Sequence, residues 1–462
     1  MSKTNKKFIY LICFLLASLS AQSQVSKRKV LSLETKAPLE GVNISVVGTN
    51  IGTTTDNQGD FLLSEISIVK STDTLKFSYV GHETKRVLGE YILNGTSPIY
   101  LRQHTENLEE VVISSDKVRL YKKVPFDEMS PLIKPLCCFG ATMNENGKKT
   151  VLTGGDESYY ENNAKKRLLE DPTLSNPGAS ITDLAGRPTA NMEWQHFNGS
   201  IYSYDFNLDT WEELELTLGE RAYHNAIRYQ DRIFVVGGKR LSGNRSSEFL
   251  ADDIEILDLE ANNLLVDHTN PHQAVNFGSL IYLDNAIFFG GSTKVFRNGQ
   301  KLYSDKVHLY NFESGLWHEL KGMSRAKETN GALIDDKVYM VGGFDGRPLK
   351  EIEVYDLNTE ASKIEGELFE RMERPGITSS EGVIYIMENG KLLTYDTKLG
   401  ILNEYLIASM ANSPLLLINK GFLYMLGGSI TNRYSRRPSA KMIRINIQDI
   451  KRTAVYRSAK FK

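Results

Sequence analysis

Between residues 25 and 115 apolar and polar positions alternate, and glycines interrupt the alternation. That pattern predicts short half-buried strands of a small antiparallel sandwich. Val42–Val47 and Leu75–Val80 are the clearest strands, and Ile99–Leu101 closes the set. From residue 135 onward a different pattern takes over: a short apolar strand ending in two glycines recurs at 151–155, 234–238, 287–291, 339–343 and 424–428, with a degenerate copy at 384–390. The pairs beginning at Gly237, Gly290 and Gly342 are about 50 residues apart, the length of one propeller blade. After each pair comes a strand with an aromatic or aliphatic residue before Asp or Asn, at 201–206, 254–259, 307–312, 352–357, 392–397 and 442–447. A short outer strand follows, with Trp211 and Trp317 in equivalent places, each expected to cover a blade face. Six such units predict an all-β chain: a small N-terminal β-sandwich and a six-bladed propeller that closes to bury its strand edges. Two segments compete to close the ring, Thr453–Arg457 and the linker 116–134.

Composition narrows the class. Hydrophobic residues make up 41% of the chain and charged residues 24%, which excludes disorder and a membrane bundle. The formal charge is −2, so no global basic field exists to bind nucleic acid. Residues 1–24 read as an export signal: Lys3, Lys6 and Lys7 precede the apolar run Phe8–Ser20, which is too short to span a bilayer, and cleavage is expected after Ser20 or Ser23. The domain organisation is therefore a leader over 1–24, a sandwich over 25–115, a linker over 116–134 and the propeller over 135–457. Past the leader only Cys137 and Cys138 remain. Adjacent residues on a strand point to opposite faces, so the expectation is packing thiols, with a strained redox pair as the alternative. No metal-ligand spacing is present, and no cofactor or metal is expected.

The topology of a four-stranded meander places the loop between second and third strands on the same side as the loop entering the next blade. The long insertions 156–200, 239–252, 292–304 and 429–439 all fall there, and long loops on one face of a rigid scaffold are where binding concentrates. The first insertion, with Tyr159, Tyr160 and Trp194, either folds over the mouth as a lid or wanders. These loops are rich in arginine: Arg240, Arg245, Arg297, Arg347, Arg433, Arg436 and Arg437 between strands, and Arg221, Arg325, Arg371 and Arg374 before inner strands. The guanidinium fork matches carboxylate and phosphate, so an anionic ligand is expected, bound through Arg221, Arg325, Arg374, Arg240, Arg297 and Arg347. The alternative is a solvated rim.

Two family resemblances sit on these residues. The run PLEGVNISVVGTNIGTTTDNQGDFLL, then LKFSYVGHET and LEEVVISS, resembles the carboxypeptidase-regulatory-like domain that precedes the plug of TonB-dependent outer-membrane receptors in gram-negative bacteria. No plug and no series of barrel strands follow Ser115, so the resemblance implies an exported protein of the periplasm or outer-membrane surface and not a transporter. The glycine-pair units resemble kelch repeats, departing in Asn389-Gly390 and in the long first insertion.

Kelch propellers are most often interaction platforms. The leading expectation is a non-catalytic, monomeric binding protein for a glycan or an envelope protein, with the sandwich as spacer or docking module. An alternative is a sugar-acid mutarotase or epimerase, similar to the periplasmic N-acetylneuraminate epimerases. There Glu328 would act as acid/base, His224 as proton shuttle, and Arg221 and Arg325 as carboxylate clamps. A copper oxidase resembling galactose oxidase is the least expected, because the histidines are scattered without pattern.

Overall fold

The computed structural model describes residues 27–49, 51–66, 70–94, 96–103, 120–144, 146–171, 190–296 and 298–461. The predicted leader, the LEEVVISS run, Arg297 and part of the first insertion lie outside the described residues. The chain divides into two units, 1–117 and 118–462, each taken here by itself.

In the first unit Lys27–Ser32 is the central strand of three, antiparallel to Asp60–Leu62 and parallel to Ile99–Leu101. A second sheet runs in the order Gly52–Thr54, Asn43–Val46, Thr74–Ser78 and Lys85–Leu88. The alternation read from the sequence turns Val30 and Leu101 of one sheet toward Ile44, Leu75 and Phe77 of the other, in one continuous core.

The second unit holds six blades. Their inner strands are Gly140–Met143, Asn225–Tyr229, Gly278–Tyr282, Glu328–Ile334, Gly376–Ser380 and Leu415–Asn419, each the edge of its own antiparallel sheet. Blades one to five complete their four-stranded meander in sequence order. Blade six takes its outer strand, Asp127–Glu128, from the linker, so that the linker and not the C-terminal segment completes that blade. The C-terminal strand Arg457–Lys460 instead adds a fifth strand to blade five, against Ile401–Leu406. The strands of this unit thus reach past both ends of the predicted span 135–457. Blades one and six meet through Leu152, Tyr202, Tyr424, Leu426 and Met442, and Asn419 Nδ2 donates to the Gly147 carbonyl at 2.9 Å.

The glycine pairs have a steric cause. Gly237 and Gly238 have φ of 66° and 82°, and a Cβ on Gly238 would lie 2.5 Å from the Ala222 carbonyl oxygen. The loop entering each blade lies directly against this turn, with bridges Ala222–Lys239, Val275–Ser292, Asn412–Ser429 and Cys137–Asp156. These bridges put both loop sets on one side, as the meander topology requires. Blade five is different: Asn389 and Gly390, with φ of 43° and 80°, form a two-residue hairpin with Glu388 opposite Lys391. Trp211 and Trp317 are half-buried and bond outward, Trp211 Nε1 to the Ser130 carbonyl at 3.0 Å and Trp317 Nε1 to Thr269 Oγ1 at 3.2 Å.

Candidate functional site

A central channel of about 570 Å³ runs between the inner strands. Its wall mixes apolar side chains, among them Ala226, Leu280, Leu333, Ile377 and Leu416, with polar ones such as Thr142, Asn330 and Thr378. Five blades place the residue two positions before the inner strand at the channel mouth: Cys138, Tyr223, Asn276, Arg374 and Ser413. Four of them are left-handed, with φ of 55°, 63°, 55° and 49° for Cys138, Tyr223, Asn276 and Ser413. For residues with a Cβ this conformation costs energy and is maintained by the surrounding structure, a state that clusters at functional sites. Blade four departs: Glu328, wholly buried, takes the place of the bridge residue opposite Phe344, and the next residue, Thr329, lines the channel.

Arg374 organises the mouth. Its Nη1 donates to Asn276 Oδ1 at 3.1 Å and lies 3.9 Å from Cys138 Sγ. Its guanidinium stands 5.7 Å from the centre of the Tyr223 ring, with Lys239 Nζ 4.4 Å from the same ring. The Tyr223 hydroxyl donates to Asp156 Oδ2 at 2.7 Å. A hydrogen bond from Cys137, and then the charge of Arg374, bring the Cys138 thiol down to about 7. Burial, and then the negative neighbours Cys138 and Asp156, push the Tyr223 phenol well above its ordinary value.

A second guanidinium comes from the first and last insertions acting together. Tyr159–Glu161 and Met192–Trp194 of blade one pair with Ser435–Pro438 and Ser429–Thr431 of blade six in one four-stranded rim sheet. The described part of the first insertion therefore neither wanders nor stands alone. Tyr160 is opposite Arg436 in the register, whereas Arg437 pairs with Glu161. Neighbours on a strand face opposite sides, so Arg436 is turned the other way from Arg437. Burial opposes its charge, but Tyr223, Cys137 and Cys138 hold its pKa above the ordinary value, while Arg374 repels it. Arg436 makes no ion pair with a carboxylate among the described residues.

The arginines expected on the rim divide sharply. Arg221 lies in the wall, not on the rim: it is fully buried and pairs with Asp253 at 2.7 Å and Glu255 at 2.6 Å. Arg240 joins the same two carboxylates at 3.0 and 3.3 Å. Arg325 is held by Asp345 at 3.3 Å and Glu351 at 3.1 Å. Arg347 is exposed on the loop of blade four, and Arg297 lies outside the described residues. Arg374 alone of the six stands in the channel mouth among the described residues.

The two acid–base candidates are also enclosed. Glu328 accepts from Ser292 Oγ at 2.6 Å and Lys301 Nζ at 2.7 Å. His224 Nε2 accepts from the Gly140 amide at 3.2 Å and sits 3.0 Å from Thr153 Oγ1. Burial, and then the charge of Arg221, push His224 down to about 3. The imidazole is therefore neutral at pH 7 and serves as a wall residue. Among the described residues no group of three His, Cys, Asp or Glu is placed to hold a metal ion.

Sequence reasoning missed Cys138, Tyr223 and Asn276 as mouth residues. No sharp signal marked them: the residues two positions before the inner strands are chemically mixed, but so are their chain neighbours, which include His224, Glu373 and Asn412.

Comparison with known proteins agrees with the two-part architecture. Residues 29–113 match the CarboxypepD_reg-like domain, and residues 328–362, which form most of blade four, match the Kelch motif. The chain is 24% identical over 189 residues to Kelch-like protein 41a of Danio rerio, a stretch covering 40% of this chain and 30% of that relative. No helix among the described residues is long and apolar enough to cross a membrane. The chain joins a carboxypeptidase-regulatory-like domain to a kelch-repeat β-propeller.

Proposed function

We propose that the propeller is an interaction module of an exported envelope protein, and that its channel mouth recognises an anionic group on a protein or glycan. The kelch architecture supports the first half of this reading. The second half rests on one observation: Arg374 stands in the channel mouth, and the Arg436 guanidinium on the rim sheet is near enough for the two charges to repel. Two cations held together without a carboxylate bridging them gain from an anion placed between them. Arg374 keeps donor capacity, because its Nε makes no hydrogen bond and its ion pair with Glu373, from that same nitrogen, is long at 3.5 Å. Tyr160, exposed and opposite Arg436, offers an aromatic face beside the cation. The ligand class is then a carboxylate or sulfate carried on a ring or an acidic segment.

The test is calorimetric titration of the full chain with uronic acids, sialic acid, a sulfated glycan and a glutamate-rich peptide. Binding should weaken with added salt. Losing one charge-assisted contact costs about 1.5–3 kcal/mol, so Arg374→Ala and Arg436→Ala should each weaken binding by about tenfold or more. Arg347→Ala, on the exposed loop, should bind as the parent does. No binding by any anion, or equal binding by all three variants, overturns the reading.

A further inference from the structure

Cys137 and Cys138 are free thiols side by side in the loop entering blade one, and their surroundings are opposite. Cys137 is buried, its Sγ directed at the Asp156 carbonyl oxygen 3.7 Å away. Cys138 has φ of 55°, a turn that sends its side chain into the mouth, where it is half-buried and lines the channel. Arg374 Nη1 reaches its sulfur at 3.9 Å. The charged and titratable groups facing it are Cys137, Arg374, Arg436, Tyr223 and Asp156. Of these, Asp156 is the acidic one, and its Oδ2 already accepts from Tyr223. The sulfur therefore sits in a solvent-connected cavity against Arg374 and within the field of a second cation, Arg436.

We infer that Cys138 is a thiol-modification site at the channel mouth, taking low-molecular-weight disulfides as its substrate class, with Arg374 as the cation that positions the attacking sulfur. The Cys138 thiolate attacks one sulfur of the disulfide. A new S–S bond forms as the old one breaks, and the electron pair leaves with the departing thiolate, which takes a proton from solvent. One half of the disulfide is reduced to a thiol and Cys138 is oxidised to the mixed disulfide, so no further oxidant is required. The product persists because Cys137 is poorly placed to displace it. Consecutive Cα atoms are about 3.8 Å apart, below the separation that a protein disulfide ordinarily spans.

Thiolate and not thiol is the nucleophile, so rate follows the fraction ionised. In Cys138 that fraction is raised by the Cys137 hydrogen bond and by Arg374. The reaction stands apart from the anion reading even though Arg374 serves both: exchange is read as mass added covalently at Cys138 and anion binding as heat of a reversible titration, so either can fail while the other holds.

The experiment uses the full chain carrying Cys13→Ser, so that Cys137 and Cys138 are the only thiols. An aromatic disulfide with a coloured leaving thiolate is added across a pH series, and the modified residue is located by peptide mass spectrometry. One thiol should react in the folded protein, at Cys138, with a half-point near pH 7 instead of the roughly 8.5 of a free cysteine. Arg374→Gln should move the half-point upward and slow the reaction at pH 6 severalfold, and Arg374→Lys should restore most of both. Melting temperatures identify any variant that fails to fold, and Cys137→Ser offers an independent route, since removing its hydrogen bond should also raise the half-point. Reaction at neither cysteine until denaturation, reaction at Cys137, or a half-point indifferent to both Arg374→Gln and Cys137→Ser would overturn the assignment.

Discussion

Arg221 donates to Asp253 Oδ1 across 2.7 Å from a side chain with no solvent exposure. Glu255 Oε2 forms an ion pair with the same nitrogen, and its other oxygen accepts from the Gly219 amide at 2.9 Å, so the cluster ties the loop entering blade two to its third strand. Removing one partner of a buried pair strands the other charge, at about 3–5 kcal/mol. Arg221→Ala should therefore lower the urea midpoint markedly, with Arg240 limiting the loss by compensating the same carboxylates. Arg374→Ala should leave the midpoint nearly unchanged, since it breaks no carboxylate pair closer than 3.5 Å. Equal stability losses in the two variants would contradict the division between wall and mouth.

That division is also where the sequence stopped being informative. The blades were legible because a strand ending in two glycines repeats, and each of these glycines has a positive φ and a backbone carbonyl oxygen 2.3–3.2 Å from the would-be Cβ. Arg221 and Arg374 look alike in sequence, both arginines shortly before an inner strand. Their fates separate by two residues of register: Tyr223, two positions before its strand, takes the left-handed turn into the channel, and Arg221, two positions earlier still, is fully buried against Asp253 and Glu255. Ring closure was equally undetermined, because Asp127–Glu128 is a two-residue strand with both side chains exposed and carries no apolar alternation. The pairing of the first and last insertions depends on a contact between segments more than 270 residues apart, which no local pattern encodes.

Glu388 carries a pH dependence of definite sign. Burial pushes its carboxyl up to about 7, against the Ser413 amide hydrogen bond and the charge of Arg374, both of which favour ionisation. A carboxyl raised in the folded state binds a proton that the unfolded chain has released. The folded state is thus favoured below about pH 4.5, and that advantage is lost as pH rises through about 7. Glu388→Gln keeps the carbonyl acceptor for Ser413 without the charge. It should stabilise the protein at pH 8 by on the order of 2–3 kcal/mol, and the difference from the parent should vanish at pH 4. A variant no more stable than its parent at pH 8 would rule this out.

Two of the buried histidines work in the opposite direction. Burial, followed by the charge of Arg221 for His224 and of His308 for His272, pushes both down to about 3. His272 is fixed between His308 Nδ1 at 2.8 Å and the Gly290 carbonyl at 3.0 Å. The unfolded chain takes up these protons near the ordinary histidine value of about 6.5, the folded chain only near 3. Their contribution is complete above pH 6.5 and drains away as pH falls toward 3, at about 1.4 kcal/mol per pH unit for each group. Denaturation midpoints between pH 7 and 4 should show this slope, and His224→Gln should reduce it by about half. A slope unchanged in that variant would mean that other groups govern acid unfolding.

The two ends of the second unit clamp neighbouring blades by different means, and their removal should separate the two. At the N-terminal side Asp127 meets Arg444 at 2.8 Å and Glu128 meets Lys441 at 2.7 Å, with both carboxylates mostly exposed. Exposed pairs contribute about 0–1 kcal/mol each, so Asp127→Asn with Glu128→Gln should hardly move the melting temperature. At the C-terminal side Arg457 pairs at 2.7 Å with Glu404, whose side chain is only 1% exposed, and Phe461 packs against Tyr395 and over Gly366. Ending the chain at Tyr456 would strand that carboxylate and uncover Tyr395 together. The truncated protein should melt several degrees lower, and Glu404→Leu in the same truncation should recover part of the loss by removing the uncompensated charge. If the shortened chain melts as the full one does, the fifth strand of blade five is an ornament of the fold and Glu404 finds another partner.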